Sequence, residues 1–214
     1  MLKKLLNVLL IVSIVVFILS FSIAFPIYFR FFYFWQIKPL GLDKMYDIDT
    51  IKTAYNEVLN YLTLLSGEFS VGEFRYSVDG MQHFADCKKL FTLNLIALLS
   101  SLTISIPLLL LRKKLNICTR GKKSVFFIAG LSLITIFIIV GIIVAIDFQS
   151  AFAVFHKIFF PNKKNWLFDP RYDEIINILP MEFFRNCAIL IFSNIILLCI
   201  ICILTVKKKK IKTN

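Results

Sequence analysis

The side chains best suited to proton transfer near neutral pH are the two histidines, His83 and His156. An imidazole has a reference pKa near 6.5, so it can accept and return a proton at physiological pH. His83 lies a few residues before one long apolar run, and His156 lies about ten residues after another. This placement indicates acid/base chemistry at a membrane surface. It leaves open that both are surface-loop residues without a role.

Few other groups in the sequence point to chemistry. Asp86 follows His83 closely, and it is either an orienting hydrogen-bond acceptor or a solvated anion. A metal site made of His83, Asp86, His156 and Asp169 is formally possible, but no HxH or HExxH motif supports it. The sequence has no glycine-rich phosphate loop and no GxSxG nucleophile motif. Cys87 and Cys187 lie near the same end of two apolar runs, so a disulfide between them stays open.

Four long apolar runs must position these residues. The chain has 214 residues, of which 58% are hydrophobic, and about 20 helical residues cross a bilayer core. We predict an all-α membrane protein with a single membrane domain, residues 1–214. Its predicted spans are about residues 5–29, 91–111, 124–146 and 188–206.

The distribution of charge predicts the orientation. Residues 1–4, 112–123 and 207–214 hold 13 of the 25 basic residues and none of the 13 acidic ones. Basic residues concentrate on the cytoplasmic side of membrane proteins. We therefore expect a bacterial cell-membrane protein with cytoplasmic N- and C-termini, and exterior loops of about residues 30–89 and 147–187. Both histidines would then face outward, and the net charge of +12 does not indicate nucleic-acid binding.

The first exterior loop is long enough to form a small cap. Apolar residues from Asp49 to Leu65 recur at helical spacing, so this segment predicts an amphipathic helix capped by Asp47 or Asp49 and ended by Ser66-Gly67. The segment from Glu68 to Val78 alternates in places. It predicts a short β-hairpin, followed by a turn at Asp79-Gly80.

Two exterior motifs carry a resemblance to a known family. The stretch Phe155-His156-Lys157-Ile158-Phe159-Phe160-Pro161-Asn162, followed by Asn165-Trp166-Leu167-Phe168-Asp169-Pro170, resembles the second exterior loop of bacterial lipoprotein intramolecular transacylases (Lit), which are integral membrane proteins. The segment His83-Phe84-Ala85-Asp86 ahead of the second span is similar too. Lys163 and Lys164 depart from the pattern, since a shorter and more acidic link is expected there.

The resemblance implies an intramolecular acyltransferase without a cofactor. Such an enzyme moves the sn-2 acyl chain of a diacylglyceryl lipoprotein onto the α-amine of its own N-terminal cysteine, giving the lyso form. We then expect His83 and His156 to share the work, one as base and the other as acid or oxyanion donor. Asp86 would orient His83, and the pocket would be shaped by Asn162, Trp166 and Asp169.

Other classes of protein remain as alternatives. A transporter needs charged or broken-helix elements at mid-membrane depth, and the predicted spans carry none near their centres. A non-enzymatic accessory protein, or a metal-binding protein that uses the exterior histidines, stays open. The expected partners are diacylglyceryl lipoproteins and membrane lipid, with the chain acting as a monomer.

Overall fold

The computed structural model describes residues 1–119 and 124–205. Arg120, Lys122, Lys123 and the basic C-terminal segment, on which the predicted orientation partly rests, lie outside the described residues. The helices are α1 (Leu2–Tyr28), α2 (Phe31–Phe34), α3 (Ile48–Leu62), α4 (Val78–Leu110), α5 (Val125–Ile146), α6 (Phe148–Phe159) and α7 (Met181–Leu204). Two 3-10 helices cover Leu42–Lys44 and Glu174–Asn177. In the described part of the chain there are no β-strands.

Among the described residues, four helices are long and apolar enough to cross a membrane, as predicted: α1, α4, α5 and α7, with 27, 33, 22 and 24 residues. At 1.5 Å per residue, α4 is about 50 Å long, which exceeds a hydrocarbon core of about 30 Å. Residues 91–110 of α4 hold no charged side chain, whereas Asp79, Asp86, Lys88 and Lys89 lie in its first part. The charge-free part of α4 that is long enough to cross a membrane is therefore residues 91–110, and its charged side chains lie in residues 78–90.

The chain forms two compact units, and the first comprises Met1–Ile23, Leu95–Ile142 and the described residues from Ile191 on. Its core is aliphatic and includes the fully buried Leu10, Ala129 and Cys199. A Cβ added at Gly130 would lie 2.8 Å from the Cys199 carbonyl oxygen, so this glycine lets α5 approach α7 closely. The Ser13 hydroxyl donates to the Ser101 carbonyl at 2.8 Å, which satisfies a buried polar group between α1 and α4.

The second unit, Ala24–Asn94 and Ile143–Leu190, is built around α3. The Asp47 carboxylate accepts hydrogen bonds from the Asp49 and Thr50 amides at 2.9 and 3.3 Å, so Asp47 is the N-cap. The predicted amphipathic helix is confirmed, although it ends at Leu62 rather than near Leu65. Its apolar face is buried: Ile51, Ala54, Tyr55, Val58, Leu59 and Leu62.

The predicted β-hairpin at Glu68–Val78 is wrong. The backbone amides of this segment donate to carboxylates and not to a partner strand. The Gly72 amide donates to Glu57 at 2.7 Å, the Arg75 amide to Glu174 at 2.9 Å and the Ser77 amide to Asp173 at 2.8 Å. Backbone amides that already donate to side chains do not require hydrogen bonds to a second β-strand. The predicted turn at Asp79-Gly80 is also wrong, because both residues lie in the first turn of α4.

Candidate active site

The first part of α4 positions three polar side chains of the second unit. His83 and Cys87 are four residues apart, so they lie one above the other on one helix face, with Asp86 close beside them. The Cys87 Sγ lies 3.4 Å from His83 Nε2. His83 Nδ1 is buried and has no hydrogen-bond partner in the part of the chain that the structure describes.

The second histidine lies on the amphipathic helix α6, not in a loop. Asp147 caps this helix by accepting from the Ser150 amide at 3.0 Å. His156 Nδ1 is 2.7 Å from the Phe152 carbonyl oxygen, one turn earlier. Since a carbonyl oxygen only accepts, Nδ1 carries the proton, and in the neutral ring Nε2 holds the lone pair.

The two imidazoles lie together in an aromatic enclosure. Their ring centroids are 5.7 Å apart with an interplanar angle of 32°. His83 and His156 are only 5% and 7% exposed. Phe160 and Phe168 meet the His83 ring edge to face at 4.8 and 5.4 Å, and Trp166 stacks on His156 at 4.8 Å. The structure thus brings together two residues that are 73 positions apart in sequence.

Both imidazoles favour the neutral form in this enclosure. Burial, with smaller contributions from His156 and Lys163, lowers the pKa of His83 to about 4, although Asp86 opposes this change. Burial also lowers the pKa of His156, while the hydrogen bond to Phe152 opposes this change. Two neutral imidazoles near pH 7 can each donate one hydrogen bond and accept another.

Asp86 does not hydrogen-bond to His83, so the predicted orienting contact is not formed. Its carboxylate instead accepts from Lys89 at 3.0 Å, from Lys163, and from the Asn165 amide at 3.5 Å. Burial alone would raise the pKa of Asp86, but these donors outweigh it and lower the pKa to about 2. Asp86 therefore connects α4 to the loop after α6 and affects His83 only by electrostatic interaction.

The three residues predicted to shape the pocket, Asn162, Trp166 and Asp169, lie in different surroundings. Trp166 contacts His156 directly, and its indole N–H donates to the Lys163 carbonyl at 3.1 Å. Asn162 is exposed and has a left-handed backbone, with φ of 62°, where the chain turns after α6. Asp169 pairs with Arg171, with a shortest separation of 2.6 Å. The described residues contain no group of three or more metal-binding side chains placed to hold an ion.

Several residues at the site were missed by the sequence reasoning or given another role. Cys87 is a free thiol beside His83, and Cys187 is also free, so the disulfide left open between them is not formed. Lys163, one of the two departures from the family pattern, pairs with Asp86 and so connects the loop after α6 to α4. Asp173 holds the start of α4 through Ser77. The i, i+4 spacing of His83 and Cys87 was the one signal in the sequence that could have revealed such a contact.

Comparisons with known proteins agree with this arrangement. The profile of the family "Lipoprotein intramolecular transacylase Lit" matches residues 8–184. The membrane-integral lipoprotein intramolecular transacylase Lit from Bacillus cereus has a solved structure that superposes with a TM-score of 0.84 and 26% identity, covering 94% of this chain and 92% of that one.

Two variants of the same Bacillus cereus protein also have similar structures, and in each of them a histidine is replaced. The arginine variant and the alanine variant both superpose with a TM-score of 0.76 and 26% identity, covering 94% of this chain and 88% and 90% of theirs. No curated protein sequence shows significant similarity to this chain. Because the family profile spans most of its length, this chain belongs to the lipoprotein intramolecular transacylase family of membrane enzymes.

Proposed function

We propose that this chain moves the sn-2 acyl chain of a diacylglyceryl lipoprotein onto the α-amine of the lipoprotein's N-terminal cysteine. The product is the lyso form, in which the cysteine nitrogen is acylated and one chain remains on glycerol. The observation that carries the proposal is the pair of buried histidine rings 5.7 Å apart in a member of the transacylase family.

The reaction suits a site that holds two ends of one substrate together. The attacking nitrogen and the ester carbonyl carbon are joined through the cysteine Cα and Cβ, its sulfur, two glycerol carbons and the ester oxygen, so the attack closes a ring of about eight atoms. Holding reacting groups in the correct geometry can lower a barrier by about 7–11 kcal/mol. An acyl donor from outside the lipoprotein is unnecessary.

The residues of the site must transfer protons to and from the reacting groups of the substrate. The α-amine has a reference pKa of about 8 and attacks only when it is neutral. On attack it must lose a proton, and the departing glycerol oxygen must gain one. We propose that His83 and His156 share the catalysis, one as the base and the other as the acid or oxyanion donor, because two neutral imidazoles within one enclosure can accept from the nitrogen and donate to oxygen.

We propose that both histidines lie on the extracellular side and that the N- and C-termini are cytoplasmic. The support is the charge pattern: Lys3, Lys4 and the basic residues around 112–123 and 207–214 flank apolar runs without any acidic residue. The proposed substrate is a lipoprotein in the outer leaflet, and its acyl chains would lie against the apolar helices. The proposed working form is a monomer in contact with membrane lipid.

The enclosure must open for a substrate with two acyl chains. The rings are covered by Trp166, Phe160 and Phe168, and two open grooves of about 410 and 290 Å³ are lined by residues other than the histidines. Trp166 and Phe168 belong to the loop after α6. We propose that this loop moves aside when the lipoprotein binds.

The test is mass spectrometry of a reporter lipoprotein in a host that makes only the diacylglyceryl form. We expect an N-terminal lipopeptide of unchanged mass in which one acyl group has moved from glycerol to nitrogen. A mixture with a second peptide that carries deuterated acyl chains should give no crossed products. An unshifted acyl pattern from protein correctly inserted in the membrane would overturn the proposal.

Variants then test the two histidines. His83→Ala and His156→Ala should each lower the rate of transfer by about 10²- to 10⁴-fold, the usual range for losing a group that transfers a proton or stabilises an oxyanion. Matched controls are the exposed neighbours Gln82 on α4 and Lys157 on α6, whose alanine variants should transfer at the normal rate. Full activity in either histidine variant would refute the shared role.

A further inference from the structure

The contact between Cys87 and His83 has no part in the shared role described above, which would operate with either imidazole tautomer. Cys87 Sγ lies 3.4 Å from His83 Nε2. The other ring nitrogen, Nδ1, is buried without a partner in a residue that is 5% exposed. A buried polar atom without a partner is costly, so such an atom at a site of this kind calls for a ligand.

We propose that Cys87 is a positioning residue that holds His83 as the tautomer protonated on Nδ1. His83 then donates its Nδ1–H to the ester oxygen as negative charge develops, and His156 is the base. This assignment rests on the proposed transacylase function and says which histidine does what.

The direction of the hydrogen bond follows from the chemistry of the two atoms. A thiol is a weak donor and its sulfur a weak acceptor, whereas the unprotonated nitrogen of imidazole is a good acceptor. The favourable arrangement is therefore S–H donating to Nε2, which leaves the ring proton on Nδ1. The four-residue spacing on a rigid helix keeps the two groups in contact.

His156 is the same tautomer, but its free ring nitrogen is the acceptor rather than the donor. Its Nδ1–H donates to the Phe152 carbonyl at 2.7 Å, so its lone pair is on Nε2. One ring of the pair therefore offers a donor and the other an acceptor. This complementarity is what amide formation from an amine and an ester requires.

The proton balance closes without any further group. The neutral amine forms the N–C bond with the ester carbonyl carbon, and His83 Nδ1–H hydrogen-bonds to the oxyanion without giving up its proton. His156 Nε2 takes one proton from the attacking nitrogen. The C–O bond to glycerol then breaks, and the His156 imidazolium gives this proton to the departing oxygen. The products are an amide and a glycerol hydroxyl, and both histidines end neutral.

The charged and titratable groups around His83 are compatible with this role. His156 faces it from α6 and Lys163 from the following loop, and both oppose a positive charge on the ring. Asp86 on its own helix acts the other way, but Lys89 and Lys163 neutralise this carboxylate. His83 therefore stays a neutral donor, as an oxyanion-stabilising group must while the ring proton is retained.

The test compares Cys87→Ala, which removes the donor, with Cys87→Ser, which keeps one. The control is Cys187→Ala, since Cys187 is another half-buried free thiol of the same unit. We expect Cys87→Ala to lower kcat roughly three- to tenfold with KM unchanged, the effect of losing one hydrogen bond. Cys87→Ser should recover most of the rate, and Cys187→Ala should match the parent protein.

A spectroscopic measurement reads the tautomer directly. The protein has two histidines, so ¹⁵N-histidine labelling gives only four ring-nitrogen signals, and His156→Gln assigns them. We expect His83 to be protonated on Nδ1 in the parent protein and the Ser variant, and to shift toward the Nε2–H form in Cys87→Ala. A parent His83 protonated on Nε2, or a tautomer unchanged by Cys87→Ala, would overturn the inference. Because the spectrum requires no turnover, this failure is distinguishable from a failure of the transacylase function.

Discussion

Gly80 is a position where one added carbon should disturb both the fold and the histidine pair. It lies in the first turn of α4, one turn before His83. A Cβ at this position would overlap Asp173 Oδ1, and it would lie 2.9 Å from Asp173 Cγ and 3.3 Å from Phe168 Cε1. Either Asp173 and Phe168 move or the helix does. Phe168 packs on the His83 ring at 5.4 Å, so the disturbance reaches the site directly.

Two opposing effects set the size of the change in stability. Alanine favours a helix over glycine by about 0.8–1 kcal/mol. Moving Asp173, however, breaks its hydrogen bonds from the Ser77 amide and hydroxyl at 2.8 and 2.9 Å, and hydrogen bonds to a charged group are worth about 1.5–3 kcal/mol each. We expect Gly80→Ala to lose about 2–5 kcal/mol net. This loss corresponds to a fall in Tm of roughly 4–20 °C.

The assay is thermal unfolding in detergent together with the transfer rate at a temperature where the variant is folded. We expect kcat/KM to fall about 10- to 100-fold, because small displacements of reacting groups are costly. Gly67→Ala is the matched control: Gly67 is an exposed glycine of the same unit, and a Cβ there would meet nothing within 4 Å. If the two variants have the same Tm and the same kcat/KM, the close approach at Gly80 does not position His83 and the reasoning is refuted.

Two further predictions concern charge. The pKa of His83 is lowered to about 4, chiefly by burial. Between pH 6.5 and 4 the unfolded chain therefore binds more protons than the folded chain. We expect the free energy of unfolding to fall by about 3 kcal/mol as the pH drops through this range. Unfolding measured from pH 7.5 to 4 should show a shallower loss in His83→Gln, and equal slopes would contradict the prediction. Asp86→Asn removes the partner of Lys89 and Lys163. Because the Lys89 side chain is mostly exposed and that of Lys163 about half exposed, we expect only about 1 kcal/mol of lost stability. Its kcat should nevertheless fall several-fold because the loop after α6 is held less firmly. Asp49→Asn, whose Lys52 pair on α3 is exposed, is the control that should keep its rate.

The regular elements were largely predictable because they follow from local patterns. A charge-free apolar run of span length has few alternatives to a helix in a bilayer, and four such helices were found. The amphipathic helix α3 was predictable for a similar reason: its buried face repeats at helical spacing and Asp47 precedes it. The end of α3 was placed about three residues too late. Local composition specifies the end of a helix less sharply than its start.

The segment between α3 and α4 shows where local patterns fail. Alternating Phe, Val and Tyr residues are typical of a strand, yet the backbone amides of Gly72, Arg75 and Ser77 donate to acidic side chains. The acceptors Asp173 and Glu174 are about a hundred residues away in sequence. A pattern with a period of two cannot reveal that a distant carboxylate will satisfy an amide before a second strand does.

Residue types and charge pattern were thus enough to predict the membrane class and its four helices, and to select His83 and His156 as the groups suited to proton transfer. Motif resemblance added the transacylase family. Only the tertiary structure decided which partners these histidines have: Cys87 rather than Asp86 for His83, and a backbone carbonyl for His156. It also decided that both rings are buried and therefore neutral near pH 7. The physical reason is that burial and hydrogen-bond partners depend on which distant segments pack together, whereas span formation depends on the residues of the span itself.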